Sequence, residues 1–141
     1  MQISFKLLPK EEASIILPYL DIMNHHKVPM DVLRERFEEM LSQNYEAFGI
    51  YNEAQLIGCF GLWSATRHYC GKSLEPDHVY IEDAYRSKGI GAQLFQWIEA
   101  YGKGKGVTAV ELNTYVENFS SHKFYYNQGF VARGYHFIKK I

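Results

Sequence analysis

The chain has 141 residues, of which 47% are hydrophobic and 22% charged, and its formal net charge is −1. This length fits one domain, residues 1–141, and the composition excludes a disordered chain and a strongly basic nucleic-acid-binding protein. The longest apolar stretch, Leu56 to Trp63, is too short to span a membrane, and the N-terminus lacks the apolar core of a signal peptide. We therefore expect a cytoplasmic protein. Its two cysteines, Cys59 and Cys70, lack the spacing of zinc ligands, so no metal site is expected.

Charge is distributed unevenly along the chain. Residues 1–58 contain five Lys or Arg and nine Asp or Glu, whereas residues 59–141 contain ten and seven. Scattered surface charge is one explanation. The other is that the acidic half, which includes Glu35, Glu38 and Glu39, shapes a site that prefers a cationic molecule.

Apolar spacing and turn residues predict three strands and two helices in the first half of the chain. In order, they are a strand from Ile3 to Leu8, a helix opened by Pro9-Lys10-Glu11-Glu12, a helix from Met30 to Ser42, and two strands from Tyr45 to Tyr51 and from Leu56 to Thr66. The last two strands form a hairpin around residues 52–55. Pro18 is predicted to kink or end the first helix because it has no N–H and clashes with the preceding turn.

The second half of the chain predicts four strands and two helices. They are a strand from Leu74 to Ile81, a helix from Ile90 to Tyr101, a strand from Val107 to Thr114, a short helix capped by Asn118 and running to Gln128, and strands from Phe130 to Arg133 and from Tyr135 to Lys140. The order of elements mixes antiparallel hairpins with one strand-helix-strand crossover. This mixture predicts an α+β fold.

A glycine-rich turn connects the strand that ends at Ile81 to the helix that begins at Ile90. Its sequence is Arg86-Ser87-Lys88-Gly89-Ile90-Gly91. Glycines let a diphosphate approach the main chain without interference from Cβ, and the first turn of a helix offers unpaired N–H groups at its positive end. Arg86 and Lys88 add positive charge. The turn therefore predicts a phosphate-binding site, although a Gly-x-Gly turn before a helix also serves as a plain packing device.

A second pattern, NFSSHKFYYNQGF, lies at Asn118 to Phe130. Together the two patterns resemble the GCN5-related N-acetyltransferase (GNAT) superfamily, which has an Arg/Gln-x-x-Gly-x-Gly/Ala turn after a strand and later an asparagine, a small residue, Phe-Tyr and Gly-Phe. The matching residues are Arg86, Gly89, Gly91, Asn118, Ser121, Phe124, Tyr125, Gly129 and Phe130. Ser87 and Asp83 stand where the family usually has glycine and proline.

The resemblance implies a fold, a donor substrate and a set of binding residues. The fold is α+β, with a mixed, mostly antiparallel central sheet of about seven strands flanked by four helices. The donor is acetyl-CoA, with its diphosphate on the glycine turn, its pantetheine arm along the strand that ends at Ile81, and its thioester near Tyr125. The residues expected to bind acetyl-CoA are Tyr80, Ile81, Arg86, Ser87, Lys88, Gly89, Ile90, Gly91, Ala92, Asn118 and Ser121.

Acetyl transfer to a primary amine needs a proton acceptor, because such an amine, with a pKa of about 10.4, is protonated at neutral pH. Asp77 lies at the position where several small-amine members of the family carry a catalytic carboxylate. His78 is the second candidate, since its ordinary pKa of about 6.5 suits a base. A solvated rim carboxylate is the alternative interpretation of Asp77. By resemblance, Tyr125 is the general acid that protonates the leaving CoA thiolate, and a packed aromatic ring is the alternative.

These expectations predict an N-acetyltransferase that moves an acetyl group from acetyl-CoA directly to a primary amine of a small cationic molecule. One alternative is acetylation of a protein N-terminus or lysine, which would need an open groove. Another is a non-catalytic acyl-CoA-binding sensor that keeps the phosphate site but lacks a working base. Family habit implies a homodimer with the C-terminal strands as contacts. Nucleic acid, membrane and metal are not expected as partners.

Overall fold

Five strands form one sheet in the computed structural model, which describes residues 1–141. They lie side by side in chain order as β1 (Ile3–Leu7), β2 (Tyr45–Asn52), β3 (Gln55–Arg67), β4 (Gly71–Ile81) and β5 (Ala109–Val110). Strands β1 to β4 pair antiparallel, and β5 pairs parallel with β4. Four α-helices accompany the strands: α1 (Leu17–Met23), α2 (Met30–Leu41), α3 (Ile90–Lys103) and α4 (Phe119–Asn127). None of them is both long and apolar enough to cross a membrane.

The chain divides into two units, Met1–Glu111 and Leu112–Ile141. The first contains the sheet and helices α1 to α3, and each face of this sheet has its own apolar core, because successive strand side chains point to opposite faces. The core that includes α1 and α2 contains buried Leu17, Leu33, Phe37, Tyr45 and Cys59. The core that includes α3 contains buried Phe48, Phe60, Leu74, Leu94 and Ile98. Helices therefore cover both faces of the sheet.

The first helix begins later than its sequence predicted. Residues Ala13–Ile16 form a 3-10 turn, and α1 follows from Leu17 to Met23. The prediction that Pro18 kinks or ends a helix is wrong, because Pro18 lies in the first turn of α1. At that position an N–H would have no acceptor within the helix, so proline costs nothing.

The strand predicted from Val107 to Thr114 is reduced to the two residues of β5. Its last bond to β4 runs from the Glu111 N–H to the Leu74 carbonyl, at 3.0 Å. In a parallel ladder the next bond would be donated by residue 76 of β4, but Pro76 has no N–H. Strand β4 consequently has no β5 partner beyond Leu74.

The two C-terminal strands, predicted from Phe130 to Arg133 and from Tyr135 to Lys140, are absent, because residues 129–141 form neither helix nor strand. The sheet therefore has five strands, and the prediction of about seven is wrong. The alternating apolar pattern favours an extended backbone, but a strand also needs a hydrogen-bonded neighbour, and neither segment has one. The helix predicted after Asn118 is present as α4.

Candidate active site

The turn between β4 and α3 presents bare backbone N–H groups. Helix α3 begins at Ile90, and its N-cap residue, Gly89, makes no side-chain bond to the helix. The N–H groups of residues 87–92 donate to no protein acceptor, and the first bond of the helix runs from the Gln93 N–H to the Gly89 carbonyl. These groups lie at the positive end of a 14-residue helix. An oxyanion is the ligand that satisfies such groups best.

Two residues of this turn have left-handed backbone. Gly89 has φ +79°, and Ser87 has φ +59°. A Cβ built on Gly89 would meet no heavy atom within 4 Å, so the space in front of this residue is open. The turn thus fits a diphosphate pressed against the main chain. Ser87 adopts the conformation for which the family uses glycine, at the usual cost of about 1–2 kcal/mol for a residue with Cβ.

The two cations of the turn differ in how they are held. The Arg86 Nε donates to the Ile81 carbonyl at 2.8 Å, and its terminal nitrogen pairs with Asp83 at 2.8 Å. Its guanidinium also lies 5.3 Å from the Tyr80 ring centroid. Lys88 is exposed and lies 6.0 Å from the Tyr85 ring centroid. Arg86 thus ties the turn to the end of β4, whereas Lys88 remains available to an incoming anion.

A bulge in β4 determines which backbone groups of this strand point away from β3, towards the side that has no β5 partner. The pairing of β3 with β4 shifts between Cys59 and Gly61, which pair with Tyr80 and Asp77. After this shift the Glu82 N–H donates to the Ile57 carbonyl of β3, at 2.9 Å. Backbone direction alternates along a strand, so the backbone groups of Ile81 point away from β3. The Arg86 bond to the Ile81 carbonyl agrees with this direction.

Asp77 lies at the start of the bulge with an exposed carboxylate. One carboxylate oxygen accepts a bond from the Trp63 indole N–H at 3.0 Å, and the other accepts a bond from the His78 N–H at 2.7 Å. Each carboxylate oxygen keeps a free lone pair, so this group is fixed in place yet still able to accept a proton. Nearby Tyr45 and Cys59 feel its negative charge, which adds to the rise of their pKa values.

The His78 ring is partly buried between Tyr45 and Cys59, two groups that stay neutral. Its Nε2 is hydrogen-bonded to the Tyr45 hydroxyl, and its Nδ1 lies 3.8 Å from the Cys59 sulfur. Burial lowers the pKa of His78, an effect that the Asp77 charge opposes. Burial also raises the pKa of Tyr45, and it raises that of Cys59 to about 12. A neutral imidazole has one donor and one acceptor nitrogen, and both ring nitrogens of His78 have a partner here.

Near the end of β4, two stacked tyrosines connect α1 to the residues that precede the turn. The Tyr19 and Tyr80 rings stack with centroids 5.0 Å apart. The Tyr19 hydroxyl donates to Glu82 at 2.6 Å, and burial, followed by this bond, raises the pKa of Tyr19. Helix α1 and the residues before the glycine turn are thereby held together.

The Acetyltransferase (GNAT) family profile matches residues 14–130. The chain belongs to this family. An aminoalkylphosphonate N-acetyltransferase from Salmonella typhimurium strain LT2 is 30% identical over 74 residues, a match that covers 52% of this chain and about half, 48%, of that protein.

Solved structures of other acetyltransferases share the fold of this GNAT-family chain. A ribosomal-protein-alanine N-acetyltransferase from Brucella melitensis biovar Abortus 2308 superposes with a TM-score of 0.81 at 19% identity, with 100% of each chain covered. A possible acetyltransferase from Clostridium difficile 630 has a TM-score of 0.81 at 17% identity, with 100% of this chain and 98% of that one covered. At such identities the likeness shows the fold alone. It agrees with the α+β class predicted from the sequence.

In the second unit, the residues that match the second family pattern lie on or next to α4. Tyr125 is partly buried, and burial raises the pKa of its phenol. The helix ends in a Schellman motif: Gly129 has φ +92°, the Phe130 N–H donates to the Tyr125 carbonyl at 3.0 Å, and the Gly129 N–H donates to the Tyr126 carbonyl at 3.1 Å. The Tyr125 and Phe130 rings pack edge to face with centroids 5.8 Å apart. The segment from Tyr125 to Phe130 in the family pattern therefore forms the C-terminal end of α4.

Asn118 and Ser121 occupy the start of the same helix. Asn118 is the N-cap residue of α4, and its side-chain oxygen accepts a bond from the Ser120 hydroxyl at 3.4 Å instead of capping the helix. Ser121 lies in the first turn and is partly buried. Their role in binding acetyl-CoA stays a prediction.

Within the first unit, the structure brings Asp77, His78, Tyr80, Ile81 and the glycine turn into one continuous segment, the end of β4 and the start of α3. Sequence reasoning missed the residues that support this segment from other strands, chiefly Tyr45, Cys59, Gly61 and Trp63. One available signal was the pair Gly58 and Gly61 inside a predicted strand, because glycine there marks a bulge or a close backbone approach.

Proposed function

We propose that the protein is an acetyl-CoA-dependent N-acetyltransferase that transfers the acetyl group directly to the primary amine of a small cationic molecule. The row of unbonded N–H groups at residues 87–92, in front of open space at Gly89, carries this proposal. The diphosphate of acetyl-CoA takes these N–H groups, and Lys88 supplies the nearest free cation. The pantetheine arm follows the side of β4 that has no β5 partner, where the Ile81 N–H is a donor for the thioester carbonyl.

The chemistry requires the protonated amine to lose two protons and the CoA thiolate to gain one. Asp77 accepts a proton from the amine, directly or through water, so that the nitrogen lone pair attacks the thioester carbon. The exposed and oriented carboxylate supports Asp77 in this role over His78, whose Nε2 is already hydrogen-bonded to the Tyr45 hydroxyl. As the carbon–sulfur bond breaks, the Tyr125 hydroxyl gives its proton to the CoA thiolate, and the second proton lost by the amine nitrogen restores the phenol through solvent. Burial raises the pKa of Tyr125, so this phenol is protonated at neutral pH.

Two observations support a small amine as the acceptor. The partial relative from Salmonella typhimurium acts on an aminoalkylphosphonate, which is a small molecule with an amine. Residues 1–58 also carry more acidic than basic side chains, which favours a cation. An aminoalkylphosphonate would in addition need a cation for its anionic group. We place the reaction in the cytoplasm, where acetyl-CoA and small amines occur together.

A thiol-release assay tests this function. Purified protein is incubated with acetyl-CoA and, separately, a diamine, a polyamine, an aminoalkylphosphonate, a peptide with a free alanine N-terminus and a peptide with one lysine. We expect free CoA thiol to appear with at least one small amine, and mass spectrometry should find the N-acetyl product. Release only with a peptide would support the protein-acetylating alternative. Saturable acetyl-CoA binding without thiol release from any acceptor would contradict the proposal and favour the sensor.

A further inference from the structure

The bulge in β4 depends on one residue in an unusual conformation. His78 has φ +39°, a left-handed value that residues with Cβ seldom adopt. His78 and Val79 together lie opposite Phe60, at the point where the β3–β4 register shifts. A non-glycine residue persists in such a conformation only when its surroundings hold it there, because the conformation costs about 1–3 kcal/mol.

Contacts with its backbone and with both of its ring nitrogens hold His78 in place. Its N–H donates to the carboxylate of its own neighbour, Asp77, at 2.7 Å. Its Nε2 is hydrogen-bonded to the Tyr45 hydroxyl, and its Nδ1 lies against the Cys59 sulfur. Tyr45 itself is buried and packs between Phe37 and Trp63, with ring centroids at 6.1 and 4.8 Å. The Tyr45 hydroxyl is therefore a rigid anchor that reaches the bulge from β2.

Space for this arrangement comes from Gly61 on β3, between the two rings. A Cβ at Gly61 would lie less than 3.0 Å from both the His78 Nε2 and the Tyr45 ring, a separation that real Cβ atoms essentially never show. No side chain larger than hydrogen fits there without moving the pair. Gly61, Tyr45 and His78 thus form one interlocked unit across three strands, which we call the bulge lock.

The bulge lock has a consequence for the reaction site. One extra residue in a strand reverses which backbone groups face each neighbour. Without the bulge, the N–H of Ile81 would face β3, whereas with it the Ile81 backbone groups face the side that β5 leaves open beyond Leu74. We propose that Tyr45 and His78 are positioning residues whose hydrogen bond fixes the β4 bulge and thereby aims the Ile81 N–H at the acyl end of acetyl-CoA. This inference rests on the proposed use of acetyl-CoA as donor.

The test compares Tyr45→Phe with a matched control, Tyr101→Phe. Both substitutions remove one tyrosine hydroxyl that is hydrogen-bonded inside the first unit, but the Tyr101 hydroxyl bonds to Glu46 at 2.8 Å, in contact with the other core. We expect Tyr45→Phe to weaken acetyl-CoA binding, measured by calorimetry, at least tenfold, with Tyr101→Phe within about twofold of wild type. The amide signal of Ile81 should shift in Tyr45→Phe and not in the control. Equal affinities in the two variants would overturn the proposal.

A second variant separates the ring from the backbone. His78→Asn keeps a residue that tolerates left-handed φ but loses the bond to Tyr45. We expect His78→Asn to lower acetyl-CoA affinity as much as Tyr45→Phe does, and the double variant to lose no more than either single one, because both break the same bond. Additive losses would contradict a shared role. Wild-type protein that binds acetyl-CoA but releases no thiol would contradict the proposed function and leave this binding comparison intact.

Discussion

At the scale of single residues, Tyr125 is the sharpest test of the proposed chemistry. We assign the Tyr125 hydroxyl to protonate the CoA thiolate. The ring and the carbonyl of the same residue contact Phe130 at the end of α4. Tyr125→Phe keeps the ring and the helix stop and removes only the hydroxyl. We expect kcat to fall by about 10²–10⁴-fold, the usual worth of a general acid, with little change in acetyl-CoA affinity.

The neighbouring tyrosine supplies the control for this change. Tyr126 lies on the same helix with an exposed side chain, so Tyr126→Phe should leave kcat and acetyl-CoA affinity unchanged. Steady-state kinetics and calorimetry on both variants give the comparison. If Tyr125→Phe turns over as fast as Tyr126→Phe, the acid is another group.

His78 gives a prediction about stability and pH. Burial lowers the pKa of His78 in the folded state, so the unfolded chain binds a proton more readily than the folded one below the ordinary histidine pKa of about 6.5. The free energy of unfolding should therefore be highest above that pH and fall as the pH drops towards the folded-state pKa. The groups that face the ring are Tyr45 on β2, Cys59 on β3 and Asp77 on β4, and of these only Asp77 is charged near neutral pH.

Denaturant unfolding at several pH values between 5 and 8 tests this, a window set by the ordinary histidine pKa of about 6.5. His78→Gln should flatten the fall in stability on the acid side, since glutamine does not titrate. His122→Gln is the matched control, because His122 has an exposed bond to the Tyr115 carbonyl. An unchanged pH profile in His78→Gln would show that another group causes the acid loss.

At the scale of elements, the glycine turn yields a controlled pair of substitutions. Gly89 and Gly106 both have left-handed backbone, with φ of +79° and +76°, and a Cβ on either would meet nothing within 4 Å. Valine at either position should thus cost similar stability. Only Gly89 lies in front of the bare N–H groups that open α3, whereas Gly106 follows the other end of that helix.

We therefore expect Gly89→Val to abolish acetyl-CoA binding and Gly106→Val to preserve it, as measured by calorimetry on variants of matched thermal stability. The reason is that the valine side chain at position 89 would occupy the space through which a diphosphate reaches the main chain. Retention of normal affinity in Gly89→Val would refute the phosphate role of the turn.

Pro76 gives a second element-scale prediction. Because its ring nitrogen cannot donate, the β4–β5 ladder stops after the Glu111 bond to Leu74. Pro76→Ala restores a donor and should extend the ladder by one bond, seen as slower hydrogen exchange of the new amide and its neighbours. If the gap beyond Leu74 admits the pantetheine arm, kcat/KM for acetyl-CoA should fall in the same variant. Unchanged exchange and unchanged kinetics would show that proline does not set the end of the ladder.

The sequence predicted those elements whose local pattern and tertiary burial agree. Helices α2 and α3 and the β2–β3 hairpin have one-sided or alternating apolar residues and clear turn signals, so their bounds were close. The prediction failed where a strand depends on a neighbouring strand. The C-terminal segments have the alternating pattern of strands but no strand to pair with. Strand β5 is short because Pro76, on the neighbouring strand β4, cannot donate a hydrogen bond. The position of the bulge, at His78, was not predicted. Its lock joins residues 33 and 17 positions apart, a relation that no local pattern contains.

At the scale of the whole molecule, the expected homodimer stays a prediction. No C-terminal strand is present to form the contact that family habit implied, and the apolar side chains of Val131, Tyr135, Phe137 and Ile138 are exposed. Sedimentation equilibrium should give twice the chain mass of 16.4 kDa. A single-chain mass at micromolar concentration would contradict the expectation.

The account rests on a diphosphate bound by the main chain of the turn before α3. The most direct measurement is a crystal structure of the protein with acetyl-CoA. We predict diphosphate oxygens about 2.7–3.2 Å from backbone nitrogens of residues 87–92, with the pantetheine arm beside Ile81. A diphosphate held elsewhere, or held by side chains alone while these N–H groups face water, would contradict the account.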